Sequence, residues 1–217
     1  MPETTAIHLS AEAVVWSVEP TDRAEALATR PLLVLLHGRG SHERDLISLA
    51  PMLPSDAVIA SLRAPMTLGD GYTWFPPAEP GLPHLDAATA SANAVLEWLD
   101  GVGPAGPVSL MGFSQGGAMV TQLLRLAPQR FSAYVCLSGF SVPGELPGDA
   151  ALETLRPPLF WGRDPEDPVI PPSAIERTAA WLPSHTTLTT RQYSGVYHSI
   201  SREEIDDIVA FLGATRA

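Results

Sequence analysis

Runs of apolar and β-branched residues recur along the chain at Ala13 to Val18, Leu32 to Leu36, Ala57 to Leu62, Val108 to Met111, Ala133 to Leu137, Pro158 to Trp161 and Thr186 to Tyr193. Most are short and unbroken by polar residues, which predicts strands buried on both faces. Between several of them the apolar spacing lengthens to that of a helix. Leu85, Ala88, Ala92, Val95, Leu96 and Leu99 keep that spacing, and the segment is expected to end at Asp100-Gly101. Val120, Leu123, Leu124 and Ala127 fall on one helical face before Pro128, and a third pattern covers Ser173 to Trp181. The last helix opens on Ser201-Arg202-Glu203-Glu204 and continues through Ile205, Ile208, Val209 and Leu212. Its S-x-x-E start is a capping box, in which serine and glutamate each satisfy a free amide of the first turn. Strands alternating with helices predict a single α/β domain over residues 1–217, with a mostly parallel central sheet and helices on both faces.

In such a sheet, functional residues gather on the loops at the carboxyl ends of strands. There the chain carries Leu110-Met111-Gly112-Phe113-Ser114-Gln115-Gly116-Gly117, a G-x-S-x-G nucleophile elbow between a predicted strand and a predicted helix. Gly112 and Gly116 allow strand and helix to approach closely while the serine hydroxyl is pushed out of the turn. A serine hydroxyl needs a base, and the base needs a carboxylate to hold its tautomer. Of the six histidines, His198 follows the last predicted strand by a short loop and precedes the capped helix. His8, His84 and His185 lie in polar or irregular surroundings and are expected at the surface. Three carboxylates, Asp164, Glu166 and Asp167, share the loop after Trp161. Asp167 is favoured because Pro168-Val169-Ile170-Pro171 stiffens the chain behind it, with Asp164 and then Glu166 as alternatives. The order Ser114, Asp167, His198 is that of the α/β-hydrolases. Oxyanion donors are expected from the backbone N–H of Gln115 and of Arg39, the latter in the turn His37-Gly38-Arg39-Gly40.

Composition narrows the chemistry further. A formal net charge of −11 and a pI near 4.8, with 13 scattered basic residues, argue against nucleic acid as a partner. The lone Cys136 lies in an apolar run, which predicts a buried thiol and excludes an internal disulfide. No histidine pair or cysteine cluster has metal-ligand spacing; His42 beside Glu43 and Asp45 lacks a second histidine, so no metal is expected. No segment is long and apolar enough for a membrane span, and Met1 to Ala6 lacks the features of a secretory signal, so a cytoplasmic location is expected. A homodimer is compatible with this composition but nothing in it specifies one.

Several of these blocks, Leu36-His37-Gly38-Arg39-Gly40, Arg63-Ala64-Pro65 with Trp74-Phe75, the elbow, Asp167-Pro168-Val169-Ile170-Pro171 and Gly195-Val196-Tyr197-His198-Ser199, occur in an order that resembles the carboxylesterase and phospholipase family that includes acyl-protein thioesterases. The resemblance implies an α/β-hydrolase fold and a cofactor-independent serine hydrolase cleaving small-molecule esters or thioesters, with Ser114, Asp167 and His198 as its triad. Trp74 and Phe75, which from their loop alone either line an acyl site or cover an apolar edge, are placed by it in the substrate site. Met119 is expected in the core. The chain departs from the family pattern where Arg39 replaces an apolar residue, and where the acid loop runs two positions longer than Gly-x-x-Asp. Arg39 points to short or polar acyl groups, and the Pro- and Gly-rich stretch from Leu137 to Pro158 is too short for a cap domain. The expected activity is that of a carboxylesterase on small acyl groups. The alternatives are a thioesterase or lysophospholipase on long chains, and a non-catalytic binding protein on the same scaffold.

Overall fold

The apolar runs assemble into a seven-stranded sheet in a computed structural model that describes residues 7–76 and 78–215. The expectation concerning Met1 to Ala6 lies outside the described residues. The strands are β1 (Val15–Trp16), β2 (Leu32–Leu36), β3 (Val58–Leu62), β6 (Val108–Phe113), β7 (Ala133–Leu137), β8 (Pro158–Arg163) and β9 (Thr187–Gln192), while β4 (Met66–Leu68) and β5 (Gly71–Thr73) form a separate hairpin. The sheet order is β1-β3-β2-β6-β7-β8-β9, parallel throughout except for β1 against β3. The helices are α1 (Arg23–Thr29), α2 (Leu85–Val102), α3 (Gln115–Leu126), α4 (Asp149–Leu155), α5 (Pro172–His185) and α6 (Arg202–Ala214).

The two-residue period of a strand explains the unbroken apolar runs. Leu32, Val34 and Leu36 of β2 enter one core, with side chains of α2, α3 and α5, while Leu33 and Leu35 enter another with Ile205, Ile208 and Leu212 of α6. Helices thus cover both faces, as the pattern predicts. The segment between β7 and β8 holds only the seven residues of α4 as regular structure, and among the described residues there is no cap domain. Among the described residues no helix is long and apolar enough to cross a membrane.

Several boundaries differ from those the pattern predicts. β1 shrinks to two residues because Ala11–Ala13 turn as a 3-10 helix ahead of it. α2 passes through Gly101, and Gly103, at φ 59°, supplies the left-handed cap instead. α5 extends past Trp181 through Pro183 to His185, its last turn held by the fully buried Leu182. α1, α4 and the 3-10 helix Leu46–Met52 were not anticipated, since each buries only one or two residues and shows no apolar period. Asp149 of α4 is anchored by a bidentate pair from the buried Arg125 of α3, at 2.7 Å for both bonds. His185, expected at the surface, is half-buried and stacks on Trp181 at 4.2 Å between ring centroids.

The capping box at the start of α6 forms. Ser201 Oγ accepts the Glu204 N–H at 3.0 Å. Glu204 is nevertheless 1% exposed, and its Oε1 has no partner among the described residues. Burial, with help from Asp207 and against the Ser201 amide, raises its carboxyl from 4.5 to about 7. A carboxyl raised on folding leaves the protein most stable below the unfolded value, and that stability is lost as pH rises through the folded one. Unfolding free energy is therefore expected to fall by about 3 kcal/mol between pH 4.5 and 7 from this group alone. Denaturant titrations of wild type and Glu204→Gln at pH 5 and pH 8 check this: the variant should lose most of the difference and be the more stable protein at pH 8.

Candidate active site

β6 delivers its last residues to the middle of the sheet, where the elbow turns directly into α3. A Cβ on Gly112 would lie 2.2 Å from the Gly116 carbonyl oxygen, and one on Gly116 would lie 1.9 Å from that of Leu36. Only glycine at both positions lets α3 begin against β6 and β2. Ser114 takes φ 55° and ψ −115°, a conformation costing on the order of 1–3 kcal/mol in an L-residue. It is held by its N–H on Leu137 O at 2.8 Å and by Ala118 N–H on its own carbonyl at 3.0 Å.

Three loops bring three side chains into one line. His198 Nε2 lies 2.9 Å from Ser114 Oγ, and His198 Nδ1 lies 2.7 Å from Asp167 Oδ2. The other Asp167 oxygen accepts the N–H groups of Val169 at 2.8 Å and Ile170 at 3.1 Å, so the carboxylate is oriented by its own loop. The Phe113 ring packs against the His198 imidazole at 4.9 Å. Of the two competing carboxylates, Glu166 is exposed and Asp164 is fully buried on main-chain amides.

The Arg39 and Gln115 amides donate no hydrogen bond to described residues outside regular structure. A Cβ on Gly38 would touch Ser114 Cβ at 3.6 Å, which puts the Gly38-Arg39 peptide beside the hydroxyl. That peptide is fixed from behind by His37, fully buried, which takes the Ala64 N–H on Nε2 at 3.1 Å and so presents Nδ1–H to the Gly38 carbonyl at 2.7 Å. Burial lowers the His37 pKa, which keeps the ring neutral in this role. Arg63 grips Glu43 at 2.6 and 2.7 Å, tying the same loop to the end of β3, and that contact holds the Glu43 carboxyl down at about 2. The sequence places His37 in the turn that carries Arg39 but gives its side chain no role, because its partner Ala64 is remote along the chain.

Ser114, Gln115 and His198 open on a cavity of about 570 Å³, walled mainly by apolar residues including Phe75, Phe140 and Ile170, with Arg39 and Glu79 also at its lining. Of the aromatic pair assigned to the substrate site, Phe75 lines this cavity and Trp74 does not: it is fully buried and donates its indole N–H to His37 O at 2.8 Å. The Gln115 side chain holds this segment, accepting from Trp74 N–H at 2.9 Å and donating to Phe75 O at 3.1 Å. Met119 is in the core. Among the described residues no group of three or more His, Cys, Asp or Glu side chains is placed to hold a metal ion.

A sequence profile described as phospholipase/carboxylesterase matches residues 23–216. The chain belongs to that family. Among curated relatives, acyl-protein thioesterase 1 of Candida albicans is 26% identical over 221 residues, covering 87% of this chain and 94% of that protein. The protein of the same name from Kluyveromyces lactis is 30% identical over 118 residues, a match covering 52% of this chain and only about half, 51%, of that protein. The crystal structure of esterase PE8 superposes with a TM-score of 0.72 at 28% identity, covering 87% of this chain and 94% of that one. A carboxylesterase from Mesorhizobium loti gives a TM-score of 0.77 at 19% identity over 96% and 99% of the two chains, a likeness of fold.

Proposed function

We propose that this family member is a serine carboxylesterase that hydrolyses small acyl esters through an acyl-enzyme on Ser114. The observation that carries the reading is the continuous run of contacts from Ser114 Oγ through His198 to Asp167, at 2.9 and 2.7 Å, beneath a cavity of about 570 Å³. His198 Nε2 accepts the hydroxyl proton as Ser114 Oγ attacks the acyl carbonyl. Asp167 holds the imidazole in the tautomer that leaves Nε2 free and stabilises the imidazolium that follows. The Arg39 and Gln115 amides take the tetrahedral oxyanion, each contributing about 3 kcal/mol to the barrier reduction if typical of such donors. His198 then returns the proton to the leaving alcohol, the C–O bond breaks, and water repeats the sequence on the acyl-enzyme to release the acid.

The curated relatives are named thioesterases, which makes thioester cleavage the second reading. A matched series of p-nitrophenyl esters and alkyl thioesters of increasing acyl length tests both. The ester reading expects kcat/KM to peak at short acyl chains and to fall beyond them. Peak activity on long-chain thioesters would replace it with the second.

Arg39 bears on the acyl group. Its exposed side chain lines the cavity and makes no hydrogen bond or ion pair with a described residue. In a protein of formal net charge −11, a free guanidinium at the cavity attracts carboxylate-bearing substrates that the rest of the surface repels. Arg39→Leu is expected to lower the kcat/KM ratio of an anionic ester to its neutral isostere by about tenfold, equivalent to one charge-assisted hydrogen bond. Competition between mono-p-nitrophenyl glutarate and p-nitrophenyl valerate measures that ratio.

A further inference from the structure

Asp164 is a buried carboxylate that the proposed chemistry leaves unused. It is 0% exposed, yet among the described residues its carboxylate has no cation as a hydrogen-bonding partner; Arg163 Nη1 reaches only its backbone carbonyl, at 3.3 Å. Its partners are main-chain amides from two different loops. Oδ1 accepts the Glu166 N–H at 2.8 Å and Oδ2 accepts the Tyr197 N–H at 2.6 Å. The Glu166 amide does most to hold the carboxyl below its usual range; burial opposes it, and the amides of Tyr197, Val196 and Gly195 together keep the net effect a lowering.

The two loops leave neighbouring parallel strands. One follows β8 and carries Asp167, and the other follows β9 and carries His198. Beyond the last rungs of the sheet, the hydrogen bonds that join them among the described residues are the one between His198 and Asp167 and those that Asp164 makes. The histidine loop also has to be held in a costly shape. Gly195 takes φ 83°, and Tyr197, immediately before His198, takes φ 55° with its side chain exposed and so without packing to hold it. An amide nest around an anion favours such alternation of backbone conformation, and here the anion is supplied by the acid loop.

We infer that Asp164 is a positioning residue, whose carboxylate locks the histidine loop to the acid loop and so sets the distance between His198 and Asp167. This rests on the assignment of His198 and Asp167 proposed above. Asparagine at this site offers one acceptor and turns an N–H₂ group toward amides that need acceptors, so the lock opens on one side. Misplacing a reacting group by about 1 Å costs about a hundredfold in rate, and a partial release costs less.

The test is Asp164→Asn, followed by proton NMR of the His198 Nδ1–H, which is strongly deshielded while shared with Asp167, and by steady-state kinetics on a p-nitrophenyl ester. Folding is checked by circular dichroism. The expected result is a folded variant whose deshielded signal broadens or disappears, with kcat lower by tenfold to about a hundredfold and KM within a factor of about two. An unchanged signal with wild-type kcat would overturn the inference. A variant that does not fold would overturn it as well, by making Asp164 a requirement of the fold instead of the histidine's position. A wild type inactive on every ester whose signal is still lost in Asp164→Asn would refute the proposed function and leave the positioning role standing.

Discussion

Replacing Ser114 with alanine is expected to lower kcat for a p-nitrophenyl ester by about 10⁴- to 10⁶-fold, leaving only what binding and the oxyanion donors supply. The size of the effect follows from position. Ser114 Oγ is the hydroxyl that faces His198 Nε2 at 2.9 Å and opens on the cavity, and no other described serine or threonine hydroxyl hydrogen-bonds to that ring. Alanine keeps the Cβ and both backbone bonds that secure the elbow, so the loss should come with little change in melting temperature. Steady-state kinetics and a thermal melt on the same preparation separate the two quantities. A variant retaining more than about a hundredth of wild-type kcat would require another nucleophile.

Asp167→Asn is expected to cost about 10³- to 10⁴-fold in kcat with KM little changed. Asparagine fits the same space, but its amide disturbs the contact that holds His198 Nδ1–H, and the ring can settle in the tautomer that presents a proton to Ser114 Oγ instead of a lone pair. Asp167 Oδ1 also accepts the Val169 and Ile170 amides at 2.8 and 3.1 Å, so the asparagine carbonyl oxygen stays on those two donors and its N–H₂ group is turned toward His198 Nδ1. The loss should exceed that of Asp164→Asn, because Asp167 touches the imidazole and Asp164 acts on it through the main chain. The reverse ranking would reassign the acid.

The strands were legible because both faces of the sheet are covered, which removes charged residues from β2, β3 and β7 altogether. β9 was legible for a different reason, its run of threonines, although most of its residues are half-buried or exposed. The short helices were hidden by their length: a seven-residue helix that buries Leu152 alone, as α4 does, has no period to detect. At the site, Ser114, Asp167 and His198 could be named from strand ends and loop stiffness, and their side chains meet at 2.7 and 2.9 Å. What brings them there was not legible. The Asp164 bond to Tyr197 spans 33 residues and the His37 bond to Ala64 spans 27, and neither pairing leaves a local trace in the sequence. Trp74 shows the converse. Its loop and its aromatic ring suggested the cavity, but its indole N–H found the His37 carbonyl, and the side chain supports the His37–Gly40 turn from the buried side.

The direct test of the acyl-enzyme on Ser114 is covalent capture: reaction of the wild-type protein with a fluorophosphonate probe, followed by intact-mass measurement and peptide mapping. A single adduct on Ser114, absent from Ser114→Ala and formed at least about a hundredfold more slowly in His198→Ala, is the predicted result. No adduct on the wild-type protein, or an adduct at another residue that persists in Ser114→Ala, would contradict it.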